Sequence, residues 1–198
     1  VALPESLSLG NFVNAWVRGG FSSALLSSLV ITVTVVAVSV VFAVLAGYAL
    51  GTLRIPLKGP ITALLLLGLI VPYESTVIPL YHFMRQLGLL GTYPVVILPQ
   101  IAFSVALGTV WMRGYFASIP PSLSEAGAID GANKMRVLWH ILVPVAAPGI
   151  ATLATLLFLY TWNEFLLGLV MLSDNPAART TPVALSFFAG NRRESDPG

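Results

Sequence analysis

Residues 21–53, FSSALLSSLVITVTVVAVSVVFAVLAGYALGTL, contain no charged side chain. The apolar part of this run, Ala24 to Leu50, is longer than the ~20 residues a helix needs to cross a bilayer. Such a stretch is stable in hydrocarbon, where a helix satisfies its own backbone hydrogen bonds. The whole chain leans the same way. Of its 198 residues, 57% are hydrophobic and 9% charged, against ~25% charged in an ordinary soluble domain. Mean hydropathy is +0.89. A soluble globule of this length has too few core positions to hold that much apolar surface. The sequence describes a membrane protein.

Uncharged runs place four spans, at about 24–50, 61–80, 93–112 and 148–172, so the expected fold is an all-α polytopic bundle. Arg54, Pro56, Lys58, Gly59 and Pro60 break the chain after the first. Pro72 and Pro79 make the second a poor straight helix and predict a kink or unwinding. Pro99 lies inside the third. Residues 173–198 read as a polar tail that closes no structure. Neither an internal repeat nor a low-complexity tract is evident.

Several functions are excluded. A net charge of +2 with no basic run argues against nucleic acid. With no cysteine, thiol catalysis and zinc–thiolate sites are absent. His82 and His140 have no second histidine or carboxylate at ligand spacing, so no metal site is expected. No Gly-x-x-x-x-Gly-Lys-[Ser/Thr] loop is present, so this chain has no such phosphate cradle of its own. The opening VALPESLSLGNF has no visible signal-peptide pattern. The positive-inside rule leaves orientation open: Arg54, Lys58, Arg113, Lys134 and Arg136 balance Arg18, Arg85, Arg179, Arg192 and Arg193.

One polar segment, about 117–145, interrupts the last two spans. Pro120-Pro121 stops the third helix. Ser122 with Glu125 matches a capping box for a short helix up to Ile129. Gly131 stands where an αL residue would end it. Asn133 can cap a second helix, Lys134 to Leu142, whose apolar stripe is Met135, Leu138 and Ile141/Leu142. Two short helices joined by a tight turn at a membrane surface make a handle that a soluble partner can grip.

These residues carry a resemblance. Glu125-Ala126-Gly127, three residues, Gly131, nine residues, then Ile141-Leu142-Val143-Pro144 is similar to the signature of ABC importer permeases, Glu-Ala-Ala, three residues, Gly, nine residues, Ile-x-Leu-Pro. Gly127 and Val143 depart from it, and Gly127 would weaken the first helix by ~1 kcal/mol. Leu7 to Phe12, Val71 to Tyr81, Gly88 to Tyr93, Trp162 to Phe165 and Arg179 to Leu185 resemble the sugar-importing, maltose-type branch. The resemblance implies a multi-pass permease subunit of a bacterial plasma-membrane importer. Members of that branch have six spans, so it also implies a chain lacking the first and last.

By the same resemblance, Glu125, Ala126, Gly127, Asp130, Gly131, Ile141 and Pro144 belong to a cytoplasmic coupling helix pair that docks on an ATPase subunit. Residues 1–20 and 173–198 would then be extracytoplasmic. The implied partners are ATPase subunits, a second permease, an extracytoplasmic solute-binding protein and a sugar-like solute. Glu125 has two readings, a cap on its own helix or an ion pair with the ATPase. Asp130 reads as a solvated turn residue or a partner contact.

Glu74 and Glu164 interrupt apolar runs, and ionisable groups at membrane depth are functional candidates. Both either line a solute path or sit solvated at the outer rim. Asn163 shares that reading with Glu164, while Tyr160 and Trp162 either stack on a sugar ring or pack. Two alternatives stand beside the transport subunit. A self-contained channel or secondary transporter needs no docking hook, and four spans are few for one. A membrane-embedded enzyme would need a motif such as His-Glu-x-x-His or Gly-x-Ser-x-Gly, and neither occurs.

Overall fold

The computed structural model describes residues 16–17 and 19–194, with side chains to Ala189. Arg18, the stretch Leu7 to Phe12 and the side chains of Arg192 and Arg193 lie outside the described residues. Every described element is helical and none is a strand. α1 (Phe21–Thr52), α4 (Pro94–Ser118) and α6 (Lys134–Trp162) are each long and apolar enough to cross a membrane. α2 (Lys58–Ile70) and α3 (Tyr73–Gln86) together pass the same test, but they are bent by 91° at Val71-Pro72. α5 (Pro121–Ile129) precedes α6, and α7 (Leu166–Leu172) and α8 (Thr181–Glu194) follow it. The chain is an all-α membrane protein.

α1 and α4 form the central pair. Small residues at helical spacing on α1, among them Ser28, Ser39, Ala43 and Gly47, are buried. Without a hydrophobic drive between helices in lipid, close backbone approach supplies the packing. Gly47 and Gly51 give the Gly-x-x-x-Gly spacing that permits it. A Cβ on Gly47 would lie 2.5 Å from Met112 Cβ and 2.9 Å from the Arg113 nitrogen. Gly108 answers from α4, where a Cβ would lie 2.7 Å from Ala43 Cβ.

The packed interior has two parts. Val44, Tyr48, Met112, Phe116, Leu138, Leu142 and Leu153 join α1, α4 and α6 at one end. Ile31, Val35, Val77, Met84, Val95, Leu167 and Met171 join α1, α3, α4 and α7 at the other.

The second span is broken at Val71-Pro72, in keeping with its prolines: the Pro72 ring removes a backbone donor and biases Val71 toward extended backbone (ψ 123°). Three expectations are corrected. The fourth span does not begin at Pro148 or run unbroken to Leu172. α6 starts at Lys134, passes through a π turn at Leu138–Leu142 and stops at Trp162. The π turn relieves Pro144, whose ring would clash with the carbonyl four residues back; Val143 instead bonds Leu138. The tail is not structureless: Thr181–Glu194 is helical, with Val183 and Ala184 buried. It is tied to α1 where Thr181 N donates to Ser28 Oγ (2.8 Å) and Ser27 Oγ to the Ala177 carbonyl (3.1 Å). Finally, Ser122 is no cap. The helix begins on Pro120-Pro121 with no side-chain cap bond, since proline needs none at its first turn.

Gly47→Ala should therefore lower thermal stability in detergent, with an overpacking cost of about 1–3 kcal/mol. Gly114→Ala, inside α4 where a Cβ meets nothing within 4 Å, should hold or raise it, by up to ~1 kcal/mol, since alanine is the better helix former. Paired melting curves of the two variants check this.

Candidate functional site

Two assemblies occupy opposite ends of α6. At its start is the hook. α5 ends in a Schellman turn: Ala132 N donates to the Gly127 carbonyl (2.9 Å) and Gly131 N to the Ala128 carbonyl (3.1 Å), with Gly131 at φ +77°. Asn133 Oδ1 then accepts from Arg136 N at 2.9 Å and opens α6, as its residue type requires. The Tyr48 hydroxyl donates to the Lys134 carbonyl (3.2 Å), fastening this corner to the end of α1.

Gly127 is the buried pivot of the hook. A Cβ there would lie 2.6 Å from Ile141 Cδ1 and 3.2 Å from Val137 Cγ2. The departure from Glu-Ala-Ala thus lets α5 lie against the α6 face. Glu125, Ala126, Asp130, Gly131 and Pro144 are exposed, and Ile141 is half-buried. Glu125 makes no cap bond on its own helix. The apolar stripe differs from the one expected. Met135 is 54% exposed, and Val137, Leu138 and Leu142 face inward. Sequence reasoning missed Ile129, which is 87% exposed at the tip of α5. Its signal was an isolated apolar residue beside a charged turn.

At the far end of α6 is a cavity of about 530 Å³. Its walls are the broken stretch Gly68 to Glu74, one face of α4 (Gln100, Phe103, Ser104, Leu107) and the end of α6 (Leu157, Tyr160, Thr161), with Glu164. Irregular backbone at membrane depth is tolerated where it lines such a space. Both interruptions do so here. At the second, Glu164 Oε1 accepts from Leu167 N at 2.7 Å and starts α7. Tyr73 and Phe103 meet edge to face, 5.2 Å between centroids.

Of the sequence candidates, Glu74, Tyr160 and Glu164 line this space. Trp162 and Asn163 do not: the Trp162 ring stacks on Phe158 at 5.5 Å, and Asn163 Nδ2 donates to its own helix at the Leu159 carbonyl, 2.8 Å away. Their neighbours on the helix were the informative ones. Tyr73, Gln100, Ser104 and Thr161 went unnoticed, although Gln100 and Ser104 stand four apart in an uncharged span. Gln100 is 7% exposed, and its Nε2 has no partner among the described residues. The Tyr73 hydroxyl is buried close beside the Glu164 carboxylate, without a hydrogen bond of full geometry. Buried donors without partners are costly in a finished core and useful where something else answers them.

Spans that break around a polar cavity, joined by one helix to an exposed hook, define a transport permease. A family profile described as "Binding-protein-dependent transport system inner membrane component" matches residues 6–191, and the chain belongs to that family of ABC importer permeases. It is 35% identical over 195 residues to the trehalose transport system permease protein SugB of Mycobacterium tuberculosis, across 98% of this chain and 71% of that one. It is 33% identical over 187 residues to the sulfoquinovosyl glycerol transport system permease protein SmoH of Agrobacterium fabrum, across 94% and 65%. The chain thus spans roughly two thirds of these relatives' lengths. The fold also matches the crystal structure of a bacterial ABC transporter involved in the import of the acidic polysaccharide alginate. That match has a TM-score of 0.73 and 27% identity, covering 91% of this chain and 68% of that one.

Tyr73→Phe separates the two uses of a buried hydroxyl. Removing a donor that holds no well-formed bond should leave the melting temperature nearly unchanged, while solute uptake by the assembled transporter falls. A loss of stability equal to the loss of uptake would assign Tyr73 to the core instead.

Proposed function

We propose that this chain forms part of the translocation pathway of a bacterial ABC importer for a sugar or sugar-like solute, driven by a separate ATPase subunit. One observation carries the reading: the hook's second limb and the cavity's third wall are the same helix. α6 runs 29 residues from Lys134 to Trp162, about 44 Å at 1.5 Å per residue. A push on the hook moves Leu157, Tyr160 and Thr161 with it. The Schellman turn, the Gly127 contact and the Tyr48 clasp keep α5 from swinging loose, so force enters the rod.

On this reading the hook lies in the cytoplasm and docks into an ATPase groove, with Glu125 and Asp130 as charged contacts and Ile129 as the apolar one. Arg54 and Lys58 are then inside as well, and residues 173–198 outside. ATP and magnesium stay with the ATPase. The chain itself is a transport subunit, not an enzyme. A second permease completes the pathway, and an extracytoplasmic binding protein delivers the solute.

The cavity's chemistry supports a sugar-like cargo. Its volume lies within the ~300–1,000 Å³ range of small-molecule sites. Gln100, Ser104, Thr161 and the carboxylates of Glu74 and Glu164 can answer hydroxyl groups. The rings of Tyr160, Tyr73 and Phe103 can cover an apolar sugar face.

Two variants test the coupling. Removing one partner of a desolvated ion pair costs ~3–5 kcal/mol, so Glu125→Ala should weaken recovery of the ATPase with the permease. Ile129→Asp should do the same, and neither should shift the permease's own melting temperature, because both side chains are exposed. Undiminished ATPase co-purification in both variants would refute docking at the hook.

A further inference from the structure

At the hook end, α1, α2 and α4 bring together cations and donors that the transport reading does not use. The chain reverses between α1 and α2 through Leu57, the one non-glycine residue with positive φ among those described (φ 59°). Such a conformation is strained and persists where the surroundings enforce it. It turns Lys58 back over α1, where Nζ donates to the Gly51 carbonyl at 3.3 Å. Gly51 in turn abuts α4: a Cβ on it would lie 3.0 Å from the Arg113 carbonyl oxygen. Arg113 Nε and the neighbouring Thr52 Oγ1 are both buried with no partner among the described residues. Arg54, three residues after Gly51, is exposed. Capping the end of α1 accounts for Lys58 alone. It leaves Arg113 and Thr52 unanswered.

The surface above these cations is apolar. Thr62 is the one buried side chain of α2. Ile61, Leu64 and Leu67 follow one another along its outer face at helical spacing, exposed by 40%, 70% and 62%. Thirteen residues make α2 about 20 Å long, enough to span the ~15 Å hydrocarbon depth of one leaflet. Cations at the foot of an exposed apolar helix face of leaflet length complement an anionic head on long hydrocarbon tails.

We propose that this corner is a binding site for an anionic phospholipid. Its phosphate is held by Lys58 and Arg113 with Arg54 at the rim, and its chains lie along Ile61, Leu64 and Leu67. The strained Leu57 turn presents Lys58 to the headgroup, so occupancy braces the α1–α2 connection against α4.

The test uses the complete transporter in detergent, titrated with phosphatidylglycerol or phosphatidylcholine while its melting temperature is followed. Phosphatidylglycerol should stabilise it at the lower mole fraction. Lys58→Gln and Arg113→Gln should each weaken that effect about fivefold, and Lys58→Arg with Arg113→Lys should restore it. Equal responses to the two lipids, an unaltered response in the glutamine variants, or the same shift with inorganic phosphate alone would overturn the proposal. Should the glutamine variants fail to fold, a photoreactive residue at Leu64 in native membranes decides. A phospholipid-mass adduct supports the site, and an adduct to another transporter subunit removes it.

Discussion

The distance between α1 and α4 is the dimension from which the rest of the molecule is built. It is set by Gly47 and Gly51 on one helix and Gly108 on the other, which let backbone meet backbone. In hydrocarbon, Leu gains little by leaving lipid for protein, so this contact has to come from shape. Once these two helices are fixed, α6 fits along them through Leu138, Leu142 and Leu153. The Trp111 indole, 3.2 Å from the Gly149 carbonyl, ties α4 to α6 midway. The hook then has a fixed base and the cavity a fixed back wall.

A second constraint shapes the other half. Each broken helix frees backbone groups that lipid cannot satisfy. The chain places both breaks against one cavity, lined by protein, and lets Glu164 cap the restart at Leu167. Glu164 therefore has a structural duty as well as a position on the cavity wall. Glu74, at the first turn of α3, suits a helix start in the same way, through the favourable field of that terminus. Charge at membrane depth is retained here where it does two things at once.

Much of this was legible in the residues. Uncharged length marked the spans, Pro72 marked a discontinuity, and Gly131 with Asn133 marked a turn of defined geometry. Those are local effects: each depends on backbone conformation a few residues away. The misreadings were also of one kind. Ser122 and Glu125 satisfy a capping-box spacing, yet Pro120-Pro121 starts the helix by itself. Met135 fits an apolar periodicity, yet the packed face is turned toward Val137. Trp162 and Asn163 stood out by residue type, while the cavity is lined by the less conspicuous Tyr73, Gln100, Ser104 and Thr161.

By itself, then, the sequence determined the medium, the helical class and the family, because hydropathy and a spaced motif act locally or in bulk. The tertiary structure alone decided which polar residues share a space. Gln100 and Glu164 are far apart in the chain, and their meeting depends on how α4 and α6 rotate about the glycine contacts. It also decided that hook and cavity wall are one rod. A proline at 144 suggests a helix boundary, and the π turn that carries the helix past it is held by packing around Leu138 and Leu142, which periodicity does not reveal.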